Sequence, residues 1–191
     1  MKAELIESKG NCLSMKVGGI GTPLMNAVRR YCIGQVEVLA IDSVTMYENT
    51  SSMFDEYVSH RIGLLPLISP KGLKEGMEVS FSMDESGPKV VYSGDLKTTD
   101  KDVKVAKEKI PIITLFENQN LRLECKAVVG NGQAHAKFQS GIAAYGEDGK
   151  DEFVFKVESF YQMKPKELVV RACKKLEKDV SDLAKAVKKA K

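Results

Sequence analysis

The sequence is poor in the residue types that metal sites and many catalytic centres use. Among its 191 residues there are no tryptophans, two histidines and four cysteines. No Cys-x-x-Cys pair occurs, whereas zinc and iron–sulfur sites use closely spaced cysteines. We therefore expect no metal site, and we expect the cysteines to be small buried apolar residues. They are Cys12, Cys32, Cys125 and Cys173.

An excess of charge of one sign is missing, and so is any long apolar run. The 29 basic and 26 acidic residues give a net charge of +3, which is too balanced for a protein that mainly neutralises phosphates. No window holds the roughly 20 apolar residues of a membrane-spanning helix, and the first ten residues lack the apolar core of a signal peptide. We expect a cytoplasmic protein without a membrane partner.

Known catalytic and phosphate-binding patterns are also missing. Glycines precede a predicted helix at Gly19 and Gly21, but Leu24 stands where a dinucleotide fingerprint requires glycine. His60 and His135 lack a metalloprotease motif and a neighbouring carboxylate pair. No aspartate-rich run could hold the magnesium ions of phosphoryl transfer. We therefore expect that the chain is not an enzyme by itself.

The pattern that remains predicts a mixed α+β protein. Alternating apolar and polar residues predict a hairpin at residues 2–7 and 12–17, and β-branched residues predict a long strand at 35–47. The charged stretch 95–109 is expected to be an exposed loop, and 134–144 a strand. Other strands are predicted at 77–83, 89–92, 110–115, 121–129 and 153–161, with a short helix at 53–62.

An apolar stripe marks a helix that begins at Thr22 and Pro23 and ends at Gly34, with proline at its start and glycine at its end. The stripe consists of Leu24, Ala27, Val28 and Tyr31. Arg29 and Arg30 are about 100° apart on this helix, so at least one must flank the buried face. Arginine suits interfaces with carboxylates, but two surface arginines without a partner are an equally open interpretation.

A second stripe marks a long helix that begins near Pro165. It spans about six turns, which is longer than a domain of this size needs for its own core. Because the chain has no second long helix, we predict that another polypeptide packs against it. The open alternative is a helix that lies across its own sheet. The stripe consists of Leu168 or Val169, Ala172, Leu176, Val180, Leu183 and Val187.

Five segments of the chain are more specific: NAVRR, AIDSVTMYENTS, DEYVSHRIGLLPL, HAKF and FKVESFYQMKPKELVVRACKKLEKDV. In order and separation they resemble the alpha-like subunit of RNA polymerase, which in archaea is the D subunit. The same family includes the third-largest eukaryotic subunit and the N-terminal domain of bacterial alpha. The resemblance covers nearly the whole chain. It implies a non-catalytic assembly subunit of a nucleotidyltransferase, with the active site on other subunits.

The resemblance also implies two domains. Residues 1–40 and 151–191 would form a discontinuous α/β dimerisation domain, a sheet plus the long C-terminal helix, and residues 41–150 a β-rich insert domain. The first would form a heterodimer with the small subunit L through two stripes. These are Leu24, Ala27, Val28 and Tyr31, and Val169, Ala172, Leu176, Val180, Leu183 and Val187.

Further partners are implied by the same resemblance. The heterodimer would be the platform for the second-largest subunit and then the largest one, with Arg29 and Arg30 near the large-subunit contact. The small subunits N and P would dock close by, and DNA would be contacted only through the holoenzyme. A free-standing homodimeric binding module that uses the same long helix is the alternative from another functional class.

One departure from the family is informative. Many archaeal D subunits carry a cysteine-rich ferredoxin-like domain before the last strand. In this sequence residues 145–153 form only a short turn, and the cysteines are not clustered. We therefore expect a version without the iron–sulfur domain and without a cofactor.

Overall fold

The structure is a computed structural model that describes residues 1–70, 72–74, 76–98, 100–149 and 151–190. The strands are β1 (Lys2–Lys9), β2 (Cys12–Gly18), β3 (Val38–Asn49), β4 (Glu78–Ser86), β5 (Lys89–Tyr92), β6 (Lys97–Thr98), β7 (Pro111–Leu115), β8 (Asn120–Gly130), β9 (Gly141–Glu147) and β10 (Glu152–Ser159). The α-helices are α1 (Thr22–Gly34), α2 (Asp55–Gly63) and α3 (Pro165–Lys189). The predicted α+β class is confirmed.

The chain divides into two compact units, Met1–Val36 with Asn131–Lys191, and Glu37–Gly130. In the first unit an antiparallel sheet has the strand order β1-β2-β10-β9. Strand alternation places the buried residues of β2 and β10 on one face, where α1 and α3 contact the sheet. The core of this unit therefore joins elements from both ends of the chain. Its strand residues include Leu13, Val17, Phe153, Phe155 and Val157.

The second unit is built mainly from strands. One sheet has the order β3-β8-β4-β6, and β5 pairs with β7 in a separate two-stranded sheet. Helix α2 packs on β3 and contributes Val58 and Ile62 to a continuous apolar core. Large residues from the sheet complete this core, among them Leu39, Ile41, Phe81, Met83, Leu121 and Leu123.

The divisions of the chain fall at different residues from those expected. Residues 37–40 belong to the second unit, because β3 begins at Val38 and pairs with β8 from its first residue. Residues 131–149 belong to the first unit, because β9 pairs with β10 along its whole length. Residues 150 and 191, at two of the expected boundaries, lie outside the described residues.

Two predicted local structures are wrong. Residues 134–144 are not one strand: a 3-10 turn at Ala136–Phe138 precedes β9, and the His135 ring caps it by accepting a hydrogen bond from the Lys137 amide. The stretch 95–109 is not simply exposed, since Val103 and Val105 are buried. Its backbone pairs with residues 66–68, with the Ile68 amide 2.8 Å from the Lys104 carbonyl oxygen.

The cysteines also divide into two groups. Cys32 and Cys125 are buried, as expected, and burial raises the pKa of each thiol to about 12. Cys12 and Cys173 are exposed, which corrects the expectation for these two. The buried thiols remain protonated at neutral pH and behave as apolar packing groups.

Gly141 is required where α3 approaches the sheet. A Cβ atom at this position would overlap the Glu158 carbonyl oxygen and lie 3.0 Å from Leu168 Cδ2. We predict that Gly141→Ala lowers the free energy of unfolding by about 1–3 kcal/mol, as overpacking in cores does. Chemical denaturation measures this change. Gly146→Ala in the same strand is the control, because its Cβ would meet nothing within 4 Å. Equal losses in the two variants would contradict the packing argument.

Candidate partner interface

The face of α1 that packs against its own unit shares only Val28 with the stripe that the sequence assigned to a partner. Its buried residues are Met25, Val28 and Cys32, at helical spacing. Of the predicted stripe only Val28 is buried; Ala27 and Tyr31 are half-buried, and Leu24 is 44% exposed. Methionine and cysteine are apolar as well, so composition alone did not decide between two overlapping faces. The structure therefore leaves Leu24, Ala27 and Tyr31 accessible.

The long stripe of α3 has two halves with different surroundings. In the first half Leu168 and Ala172 are fully buried, and Val169 and Leu176 are half-buried. This half contacts α1 and β10, so it corresponds to the alternative of a helix packed on its own unit. In the second half all residues from Val180 to Ala190 are exposed. The exposed apolar residues are Val180 at 58%, Leu183 at 64% and Val187 at 64%.

A polar contact lies where these two halves meet. The Tyr31 hydroxyl donates to Asp179 Oδ2 at 3.1 Å, and Lys175 Nζ lies 2.8 Å from Asp179 Oδ1. The hydrogen bond from Lys175, together with the one from Tyr31, holds the pKa of the Asp179 carboxyl below its usual value. Burial, and then the bond to Asp179, raises the pKa of Tyr31. The tyrosine is thus a neutral donor to a charged acceptor at neutral pH.

The two consecutive arginines have different surroundings. Arg29 Nε and one terminal nitrogen donate to Asn26 Oδ1, at 3.1 and 3.0 Å. The guanidinium group of Arg29 is therefore hydrogen-bonded within α1. Arg30 is exposed, and its side chain has no hydrogen bond or ion pair with another described residue. Both line an open cavity of about 540 Å³ at the C-terminal end of α1, which Tyr31 and Gln133 also line. Arg30 is therefore the arginine available to an acidic group.

The second unit exposes apolar residues that the sequence did not single out. The rings of Phe54 and Tyr57 are 6.4 Å apart, and both are exposed at the start of α2. Val58 and Ile62 occupy the buried face of the same short helix. A helix that packs on one side needs only one apolar face. The additional apolar residues Phe54 and Tyr57 at the start of α2 were therefore the signal in the sequence for an exposed apolar surface.

Metal-binding clusters and membrane-spanning helices are absent from the part of the chain that the structure describes. No group of three or more His, Cys, Asp or Glu side chains among them could hold a metal ion. Among the described residues, no helix is both long and apolar enough to cross a membrane. The accessible features of the first unit include the apolar stripe, the arginine and the cavity, together with Leu5, Ile6 and Ile142, which are exposed on the sheet.

Comparison with known proteins gives a family. Residues 36–145 match the family model described as the RNA polymerase Rpb3/RpoA insert domain. The DNA-directed RNA polymerase subunit Rpo3 of Methanocaldococcus jannaschii is 43% identical over 149 residues, which are 78% of this chain and 76% of the relative. The chain belongs to the Rpo3 family of DNA-directed RNA polymerase subunits. The resemblance to the archaeal alpha-like subunit seen in the five segments is thereby confirmed.

Other Rpo3 proteins are longer than the matched region. The Rpo3 subunit of Pyrococcus furiosus is 37% identical over 152 residues, which are 76% of this chain and 58% of the relative. That of Halobacterium salinarum is 44% identical over 127 residues, which are 66% of this chain and 51% of the relative. The chain thus spans little more than half the length of these two Rpo3 relatives.

Proposed function

We propose that this chain is a non-catalytic assembly subunit of a DNA-dependent RNA polymerase. It forms a heterodimer with a small L-like subunit, and the heterodimer is the platform on which the second-largest and largest subunits assemble for transcription. In the proposed assembly, the small subunits N and P dock near the platform in the cytoplasm, and DNA is contacted only through the holoenzyme. The active site lies on the large subunits.

The observation that carries this proposal is the exposed second half of the α3 stripe. Val180, Leu183 and Val187 recur at spacings of three and four, which presents one apolar ridge to a partner helix. Burial of each such side chain contributes about 1.5–3 kcal/mol. Scattered apolar residues are normal on a surface, but a continuous helical ridge is typical of an interface.

The rest of the stripe supports the same interface. Half-buried Val169 and Leu176 continue the ridge toward the N-terminal end of α3, and the accessible Leu24, Ala27 and Tyr31 lie on α1, which packs against α3. Ala172 and Val28 are buried within the unit, so they would hold the two helices together beneath the surface that the partner contacts. We propose that the partner covers the accessible members of both stripes.

We also propose that the chain carries no iron–sulfur domain and needs no cofactor. Strand β9 ends at Glu147 and β10 begins at Glu152, and the two strands are paired, so only four positions of the sequence separate them. The turn is tied to β2, because Lys16 Nζ lies 3.1 Å from Asp148 Oδ2 and 2.9 Å from Glu152 Oε2. The short connection and the ion pairs at Asp148 and Glu152 support this proposal.

Val180→Asp tests the stripe. The side chain is exposed in this chain, so the substitution leaves the fold intact but places an unpaired charge in the proposed interface. We expect at least about a hundredfold loss of affinity for the L-like subunit, since burial of an unpaired charge costs several kcal/mol. Co-purification of the two subunits, with binding measured by titration calorimetry, checks this. Ser181→Asp, about 100° around the helix, is the control. Unchanged pairing of the Val180 variant would remove α3 from the interface.

Arg30→Ala tests the large-subunit contact. We expect normal pairing with the L-like subunit and weaker recruitment of the second-largest subunit, because Arg30 is the arginine with an unused fork. Stepwise reconstitution, followed by gel filtration, measures both steps. Arg29→Ala is the matched comparison and should weaken recruitment less, since Arg29 is bound to Asn26. Loss of L-like pairing in the Arg30 variant would reverse the assignment.

A further inference from the structure

The Tyr31–Asp179 hydrogen bond is the last one that joins α3 to another element, in the part of the chain that the structure describes. Its two residues are separated by 148 positions in the sequence. After Asp179 the helix continues from Val180 to Lys189, and every residue of that stretch is exposed. The exposed half of the stripe is therefore held at one end only.

The geometry of this contact fixes the carboxylate on both sides. Asp179 Oδ2 accepts from the Tyr31 hydroxyl, and Oδ1 accepts from Lys175 one turn earlier on the same helix. Side chains four residues apart face each other on a helix, so Lys175 restricts the rotation of the carboxylate. Because the carboxylate is already restricted, less side-chain entropy is lost when the Tyr31 hydroxyl forms its hydrogen bond.

The contact lies beside the apolar stripe. Asp179 is three residues after Leu176 and four before Leu183, so it lies along the edge of the ridge that faces α1. A helical segment of about ten residues is marginal in water when nothing else holds it. The order and direction of the exposed segment therefore depend on its anchored end.

We propose that Tyr31 and Asp179 are positioning residues for the partner interface: their hydrogen bond orders residues 180–189 before the partner binds. The stripe is then presented as a preformed helix, and the partner does not have to order it. Preorganisation of this kind raises affinity by lowering the entropic cost of association. This inference rests on the proposed pairing with an L-like subunit and assigns to two residues the geometry of that interface.

Tyr31→Phe tests the inference, because it removes one hydroxyl and keeps the ring. Tyr47→Phe is a matched control: the Tyr47 hydroxyl also donates to a carboxylate, Glu124 Oε2 at 3.0 Å, on the exposed surface of the second unit. We expect Tyr31→Phe to weaken binding of the co-expressed L-like subunit by about threefold to tenfold, and Tyr47→Phe to leave it unchanged. Equal affinities of the two variants would overturn the inference.

Amide hydrogen exchange on the chain alone gives a second readout that does not need a partner. Tyr31→Phe should raise the exchange rates of residues 180–189 by up to about tenfold while the amides of β2 and β10 keep theirs. Unchanged exchange in the distal helix would overturn the positioning role. If the wild-type chain fails to bind the L-like subunit, the proposed function fails, and the exchange experiment still decides the positioning role.

A double-mutant cycle separates this bond from general destabilisation. Asp179→Ala removes the acceptor, so Tyr31→Phe made in that background should add no further loss of affinity or protection. Additive losses would show that the two residues act independently and would contradict the inference. The cycle remains decisive if one single variant is less stable, because it compares differences between variants.

Discussion

The structure depends on helix α3, whose apolar stripe is longer than the part of the helix that its own unit covers. At about 1.5 Å per residue, the 25 residues of α3 extend about 37 Å, but its fully buried residues end at Ala172. The sheet and α1 cover the first half and leave the second half in water. Exposed apolar surface of this regularity is unfavourable in an isolated subunit, and the proposed partner helix would bury it. The proposed role in assembly follows from this mismatch.

Both ends of the chain are needed to build that surface. Strand β2 pairs with β10, and the two helices that follow these strands, α1 and α3, contact each other. The second unit is inserted between them in the sequence, with its own core. Consequently the proposed interface can form only after the two ends of the chain have come together.

Periodicity predicted much of this fold, and its failures have physical causes. The spacing of Leu168 to Val187 marked α3 correctly, but the same spacing runs through both halves, so it could not show where the sheet stops covering the helix. The alternating residues 134–144 predicted a strand because the cap formed by the His135 ring is not visible in apolar patterning. The burial of Val103 and Val105 was not predicted, because the many charged residues around them indicated an exposed loop. The difference between Arg29 and Arg30 could not be predicted from the sequence, because the hydrogen bond from Arg29 to Asn26 depends on side-chain rotamers.

Sedimentation velocity of the chain, alone and mixed with the small L-like subunit of the same genome, tests whether the exposed half of α3 pairs with that subunit. We expect a stable one-to-one complex that persists through dilution, because the exposed second half of α3 pairs with the partner. A chain that sediments as a homodimer of its own, indifferent to that subunit, would contradict it. The stripe would then be an isologous contact between two copies, and the chain would be a binding module that pairs with itself.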